Sequence, residues 1–124
     1  MYKRFTAAGA LSGAIAVALG AFAAHGLKDV LSENALRIFH TGVEYQFYHS
    51  LALLVTGLIC SKNPSAPARA AGNLFLLGIV LFSGSLYCLS MTSSLQFIGF
   101  VTPLGGLCFI AGWLMLGYAT WRTK

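Results

Sequence analysis

Apolar, uncharged residues fall into three long stretches along this chain, separated by short islands of charge. Between Arg4 and Lys28 lie 23 residues without a charge, between Glu44 and Lys62 another 17, and between Arg69 and Arg122 another 52. A helix needs about 20 residues to cross the hydrocarbon core of a bilayer. The first two stretches therefore predict one span each, and the third predicts two. The expected spans are about 5–24, 45–61, 70–91 and 95–119, within one domain over 1–124. The expected fold is an all-α membrane protein, a four-transmembrane-helix bundle with an amphipathic helix before the second span.

Finer patterning supports these elements. Gly9, Gly13, Ala16 and Gly20 recur at helical spacing in the first span, and Gly9 and Gly13 form a G-x-x-x-G that lets another helix approach closely. The same start resembles a signal peptide, with Ala21-Phe22-Ala23 as a cleavage-like site; the long apolar run and the spaced glycines favour a retained span. Leu31, Ala35, Ile38, Phe39 and Val43 make an apolar stripe opposed by Glu33, Arg37, His40 and Glu44, with Ser32 as N-cap. This amphipathic helix is expected to run on into the second span, ahead of a Pro-rich loop at Pro64 and Pro67. The third and fourth spans are joined by the uncharged turn Thr92-Ser93-Ser94. Pro103 predicts a kink in the fourth span, because it clashes with the carbonyl of Gly99.

Composition narrows the function classes. Hydrophobic residues make up 57% and charged residues only 9%, where soluble domains carry roughly 45–50% and about 25%. An ordinary cytosolic enzyme is excluded. The net charge of +5 does not point to nucleic acid, because the lysines and arginines flank apolar runs and form no basic stripe on a polar domain. Cys60, Cys88 and Cys108 all lie inside apolar runs without metal-ligand spacing, and read as small hydrophobes.

Four spans put Lys3, Arg4, Lys62, Arg69, Arg122 and Lys124 on one side, against Lys28 and Arg37 on the other. The positive-inside rule then orients both termini to the cytoplasm of a bacterial plasma membrane. With that topology the polar residues can be ranked by depth, at about 1.5 Å per helical residue. His25 and Glu44 come to the outer interface, and His49 roughly 7 Å below Glu44. Ser83 and Ser85 lie roughly 9–12 Å below Met91, Tyr87 is shallower, and Thr102 falls at about 10 Å. Residues scattered in sequence thus gather in the outer half of the bundle. Asn73 is the main exception, on the cytoplasmic side.

A polar group in a bilayer needs a partner, which leaves two readings of this gathering. His25, Glu44, Tyr45, Gln46, His49, Ser83, Ser85, Tyr87 and Thr102 either bond helices together or line a site for a proton or small solute. Glu44 has helical neighbours in His40, Thr41 and Tyr48, and Tyr45 pairs with His49 at i,i+4. No catalytic constellation, metal-binding spacing or phosphate loop appears, so no cofactor is expected. The leading expectation is a non-enzymatic protein that assembles with itself or with another membrane protein. The alternative is a small proton-coupled transporter or ligand-binding protein using Glu44 and His49, which would need to be an oligomer.

Four stretches taken together carry a resemblance. They are Gly20-Ala21-Phe22-Ala23-Ala24-His25-Gly26-Leu27, Thr41-Gly42-Val43-Glu44-Tyr45-Gln46-Phe47-Tyr48-His49, Leu81-Phe82-Ser83-Gly84-Ser85-Leu86-Tyr87, and Thr102-Pro103-Leu104-Gly105-Gly106 with Gly112-Trp113. In order and spacing they resemble the YgdD-like family of small bacterial inner-membrane proteins, whose eukaryotic members are named transmembrane protein 256. One departure is Ala23, which stands where the family pattern has a second glycine. The resemblance covers essentially the whole chain. It implies a multi-span helical membrane protein and supplies no activity, substrate or cofactor.

Overall fold

The computed structural model describes residues 3–92 and 96–122. The expected turn residues Ser93 and Ser94, the expected start of the fourth span at Leu95, and Lys124 lie outside the described residues. Apart from the connections at 26–32 and 63–65, the described residues are essentially helical and form four rods. The first is α1 (Lys3–His25) and the second α2 (Glu33–Lys62). The third runs without a break over Ala66–Met91, as α3 (Ala66–Gly78), a π-helical turn (Ile79–Ser83) and α4 (Gly84–Met91). The fourth opens with a 3-10 turn (Gln96–Phe100) and continues as α5 (Val101–Trp121).

Local signals set the ends. The Ala35 N–H donates to Ser32 Oγ at 3.1 Å, and the Ala68 N–H to Ser65 Oγ at 3.2 Å, so each helix start has a side-chain cap. Pro67 sits in the first turn of α3, where its missing N–H costs nothing. Pro103 does the same in α5. At Pro103, where a kink is expected, the winding changes from 3-10 to α just ahead of the proline.

Three rods, Lys3–His25, Ala66–Met91 and Phe97–Trp121, are long and apolar enough to cross a membrane. α2 is longer, at 30 residues, but is not among them. Its middle carries Tyr45, Gln46, Tyr48, His49 and Ser50, polar residues that lower the hydropathy of this stretch. The amphipathic segment and the expected second span are one continuous helix. The stripe ahead of that span folds over the bundle: Phe39 is buried with Ala23 and Leu27, and Leu31, Leu36 and Val43 pack around them.

Neighbouring rods run antiparallel. Thr6 lies against Gly57, Phe5 against Gly72 and Phe75 against Gly112, so Lys3, Lys62, Arg69 and Arg122 share one end. At that end Arg4 Nη2 donates to Asn73 Oδ1 at 2.6 Å, which accounts for the polar residue that stood apart in the sequence. The core is built from rings set on glycines. A Cβ on Gly112 would stand 2.7 Å from the Phe75 ring, and one on Gly42 would stand 2.8 Å from Tyr87. α1 meets α2 through the expected small-residue face: a Cβ on Gly9 would come within 2.7 Å of the Ser50 carbonyl oxygen. Close backbone approach without side chains between is how helices pack where lipid is as apolar as leucine.

Candidate functional site

Gln46 is the hub of the polar cluster. It is buried on α2, and its Nε2 donates to the Ser12 carbonyl at 3.0 Å and to Ser12 Oγ at 3.3 Å. Its Oε1 accepts from the Tyr87 hydroxyl at 2.6 Å. One amide therefore joins α1, α2 and α4. Tyr87 reaches it because its ring lies over Gly42, with Phe39 at 5.0 Å on another side. The Ser83 hydroxyl, fully buried, donates to the Gly42 carbonyl at 2.7 Å. Ser83 ends the π-helical turn, where one extra residue per turn changes which side chains face α2.

His49 belongs to a second group. Nδ1 stands 2.7 Å from the Tyr45 carbonyl, and Nε2 stands 3.1 Å from the Trp113 indole nitrogen. A carbonyl can only accept and an indole N–H can only donate, so both contacts are satisfied by one tautomer: neutral, with the proton on Nδ1. A second proton, on Nε2, would face the indole N–H. The ring is stacked on Phe109 at 3.5 Å with 9° between the planes, and Phe75 lies 5.7 Å away. His49 thus acts as a linker from α2 to α5, and both its nitrogens are occupied.

Ser85 and Thr102 form the third group. The Ser85 hydroxyl donates to the Phe82 carbonyl at 2.8 Å, so in its contact with Thr102 the threonine is the donor. This bond joins α4 to α5. Among the described residues no buried side-chain nitrogen or oxygen lacks a partner, and no group of three or more His, Cys, Asp or Glu could hold a metal.

Two of the expected site residues, His25 and Glu44, stand apart from these groups, and Tyr45 belongs to the His49 group through its backbone and ring. His25 is exposed at the end of α1. Tyr45 contributes its carbonyl to His49, while its ring is half-exposed in an open groove of 570 Å³ lined also by His49, Tyr48, Phe82, Phe109 and Trp113. Glu44 is exposed and lines a recess with Ala16, Val17 and Gly20 of α1. Gly20 is five residues before His25, so Glu44 lies about 8 Å inward of the outer end of α1. It does not sit at that end beside His25, as the depth ranking expects. Glu44 and His49 are five residues apart and face different sides of α2. Trp113, Phe109 and Ser12 complete the cluster without having been singled out as site residues. A polar half-ring of Gln46 and His49 facing two different helices was the available signal for partners on both sides.

Comparison with known proteins gives the chain its place. The model of a protein family described as "protein of unknown function (DUF423)" matches residues 19–106. The chain belongs to this family. A UPF0382 membrane protein of Staphylococcus epidermidis is 49% identical over 118 residues, 95% of each chain. The UPF0382 membrane protein YwdK of Bacillus subtilis is 45% identical, over 92% of this chain and 93% of its own. The UPF0382 inner membrane protein YgdD of Escherichia coli is 43% identical, over 93% of this chain and 87% of its own. No solved structure matches the chain. Membership of the DUF423 family agrees with the resemblance seen in the sequence, and it assigns neither an enzymatic nor a transport role.

Proposed function

We propose that this DUF423 protein is a four-span inner-membrane protein that acts without catalysis, by assembling with itself or another membrane protein through the outward side of α2. Both termini face the cytoplasm, since Lys3, Arg4, Lys62, Arg69 and Arg122 gather at the end of the bundle where the chain begins and finishes. α2 crosses as the fourth span, its polar middle covered by α1, α4 and α5.

One observation carries the assembly reading: the buried polar side chains all have partners within the bundle, while Glu44 is exposed about 8 Å inward of the end of α1 with no partner among the described residues. Ionisable groups in a bilayer almost always pair or face a protein interior. Glu44 meets that condition only when another helix covers it. The outer polar cluster is then interhelical bonding, each bond contributing on the order of 0.6–2 kcal/mol.

A photoreactive amino acid at Leu51, two turns inward of Glu44 on the same side, tests this in native membranes. Adducts to protein are expected there, and few from the same group at Leu107 on α5. Adducts to lipid alone at Leu51 would overturn the assembly reading.

A further inference from the structure

Charge on this chain is sorted by end. The three acidic residues, Asp29, Glu33 and Glu44, lie toward one end of the bundle. Lys3, Arg4, Lys62, Arg69 and Arg122 gather at the other, with no carboxylate side chain among them. Two of these cations are occupied: Arg4 donates to Asn73, and Arg122 lies over the Tyr118 ring at 5.7 Å. Lys3 and Lys62 are exposed and have no ion pair or hydrogen bond among the described residues. Lys3 stands at the basic end of a 580 Å³ recess between α1 and α2, with Thr6 and Ser61 beside it and Lys62 next in the chain. The Ser61 hydroxyl donates to the Leu58 carbonyl at 2.7 Å, while the Thr6 hydroxyl is a donor without a partner among the described residues. Inward of these groups the recess is floored by Ala7, Ala10 and Gly57, small residues that leave a furrow of about 10 Å along α1.

We infer that this recess binds one anionic phospholipid, its phosphate at Lys3, Thr6 and Lys62 and an acyl chain laid over Ala7, Ala10 and Gly57. An ammonium and a free hydroxyl above an apolar floor match a molecule with an anionic oxygen head and a hydrocarbon tail. The groups stand where the helix ends meet the headgroup layer, the depth at which a phospholipid presents those two parts. Basic side chains at that depth draw anionic lipid by about fivefold each. Such a site needs only a membrane-embedded bundle, whichever way round the chain is inserted. The other recesses show that charge, not size, selects this one. Between α2 and α5 at the same end lies a recess of 590 Å³, lined by Val55, Leu116, Gly117 and Trp121 and by no cation. Farther along the α1–α2 cleft, the 300 Å³ recess carries Glu44, whose carboxylate repels an anionic head.

Native mass spectrometry tests this on the full chain, mixed in neutral detergent with equal amounts of phosphatidylglycerol and phosphatidylcholine bearing the same acyl chains. The unchanged chain is expected to retain one phosphatidylglycerol about 25-fold in preference to phosphatidylcholine, about fivefold from each of Lys3 and Lys62. Lys3→Gln should lower that preference about fivefold. Ala10→Phe and Ala7→Leu fill the recess from exposed positions and keep every charge, and each should remove the retained lipid. Two controls should keep it. Arg122→Gln removes the same charge at the same end, and Gly117→Phe fills the recess between α2 and α5. Equal retention of the two lipids by the unchanged chain would overturn the proposal. So would a loss with Arg122→Gln as large as with Lys3→Gln, which marks diffuse attraction to the basic end, or retention that survives both Ala10→Phe and Ala7→Leu. None of these results bears on the adducts at Leu51, so the assembly reading and the lipid site fail separately.

Discussion

The two sides of α2 treat polar residues in opposite ways. On the inner side Gln46, His49 and Ser50 are buried, and each of their side-chain nitrogens and oxygens has a partner in α1, α4, α5 or α2 itself. On the outer side His40 and Glu44, separated from Gln46 by less than two turns, have none among the described residues. Residue type is similar on both sides; what differs is whether another helix has been brought against it. Polarity inside a span therefore does not by itself mark a site. A polar group marks a site when the fold has left it unanswered.

This contrast can be broken most severely at the α1–α2 contact that builds the inner side. Gly9→Ala would push a methyl within 2.7 Å of the Ser50 carbonyl oxygen, a backbone atom that cannot step aside. A loss of about 1–3 kcal/mol is expected, as for other overpacked cores. Gly117→Ala is the control, since nothing lies within 4 Å of that position. Thermal unfolding of the two variants in detergent should separate them clearly, and equal stability would mean that α1 does not pack as described.

Gln46→Leu comes next in size. It removes the bonds to Ser12 and leaves the Tyr87 hydroxyl without its acceptor, at a cost of about 1–3 kcal/mol. Because the amide links three helices, Tyr87→Phe in the same background should add much less than it does alone. A double-mutant cycle by reversible unfolding measures that coupling. Additive effects would show that the two side chains act separately.

The smallest effect on the fold is expected on the outer side. Glu44→Gln should leave the stability of the isolated chain within about 0.5 kcal/mol, the range for surface changes. The same substitution should lower the yield of protein adducts at Leu51 in native membranes. A large loss of stability with those adducts intact would reverse the assignment of the two sides.

Depth along the spans was legible before the fold was known, because span length and charge placement set an expected distance from an interface for His49, Ser83, Ser85, Tyr87 and Thr102. In the structure these residues and Gln46 each bond a polar partner, in three separate groups. Rotation about the helix axis was not legible. Glu44 and His49 lie close in depth, yet five residues of helix turn them to different sides. The π-helical turn that sets Ser83 opposite Gly42 leaves no signature in the pattern of apolar residues, since its cause is the fit between two backbones. Trp113 was visible only as part of the Gly112-Trp113 stretch that carries the family resemblance; its role depends on α5 crossing beside His49.

The sequence by itself determined the helical class, the apolar rods and the end on which the basic residues gather. These follow from hydrocarbon length and from the cost of charge in lipid, which act on each segment independently. Only the tertiary structure decided which polar groups answer one another, that the amphipathic stripe closes over the bundle, and that Glu44 faces outward. Those outcomes depend on helix rotation and on glycine contacts between segments far apart in the chain, where a shift of one residue changes the neighbour.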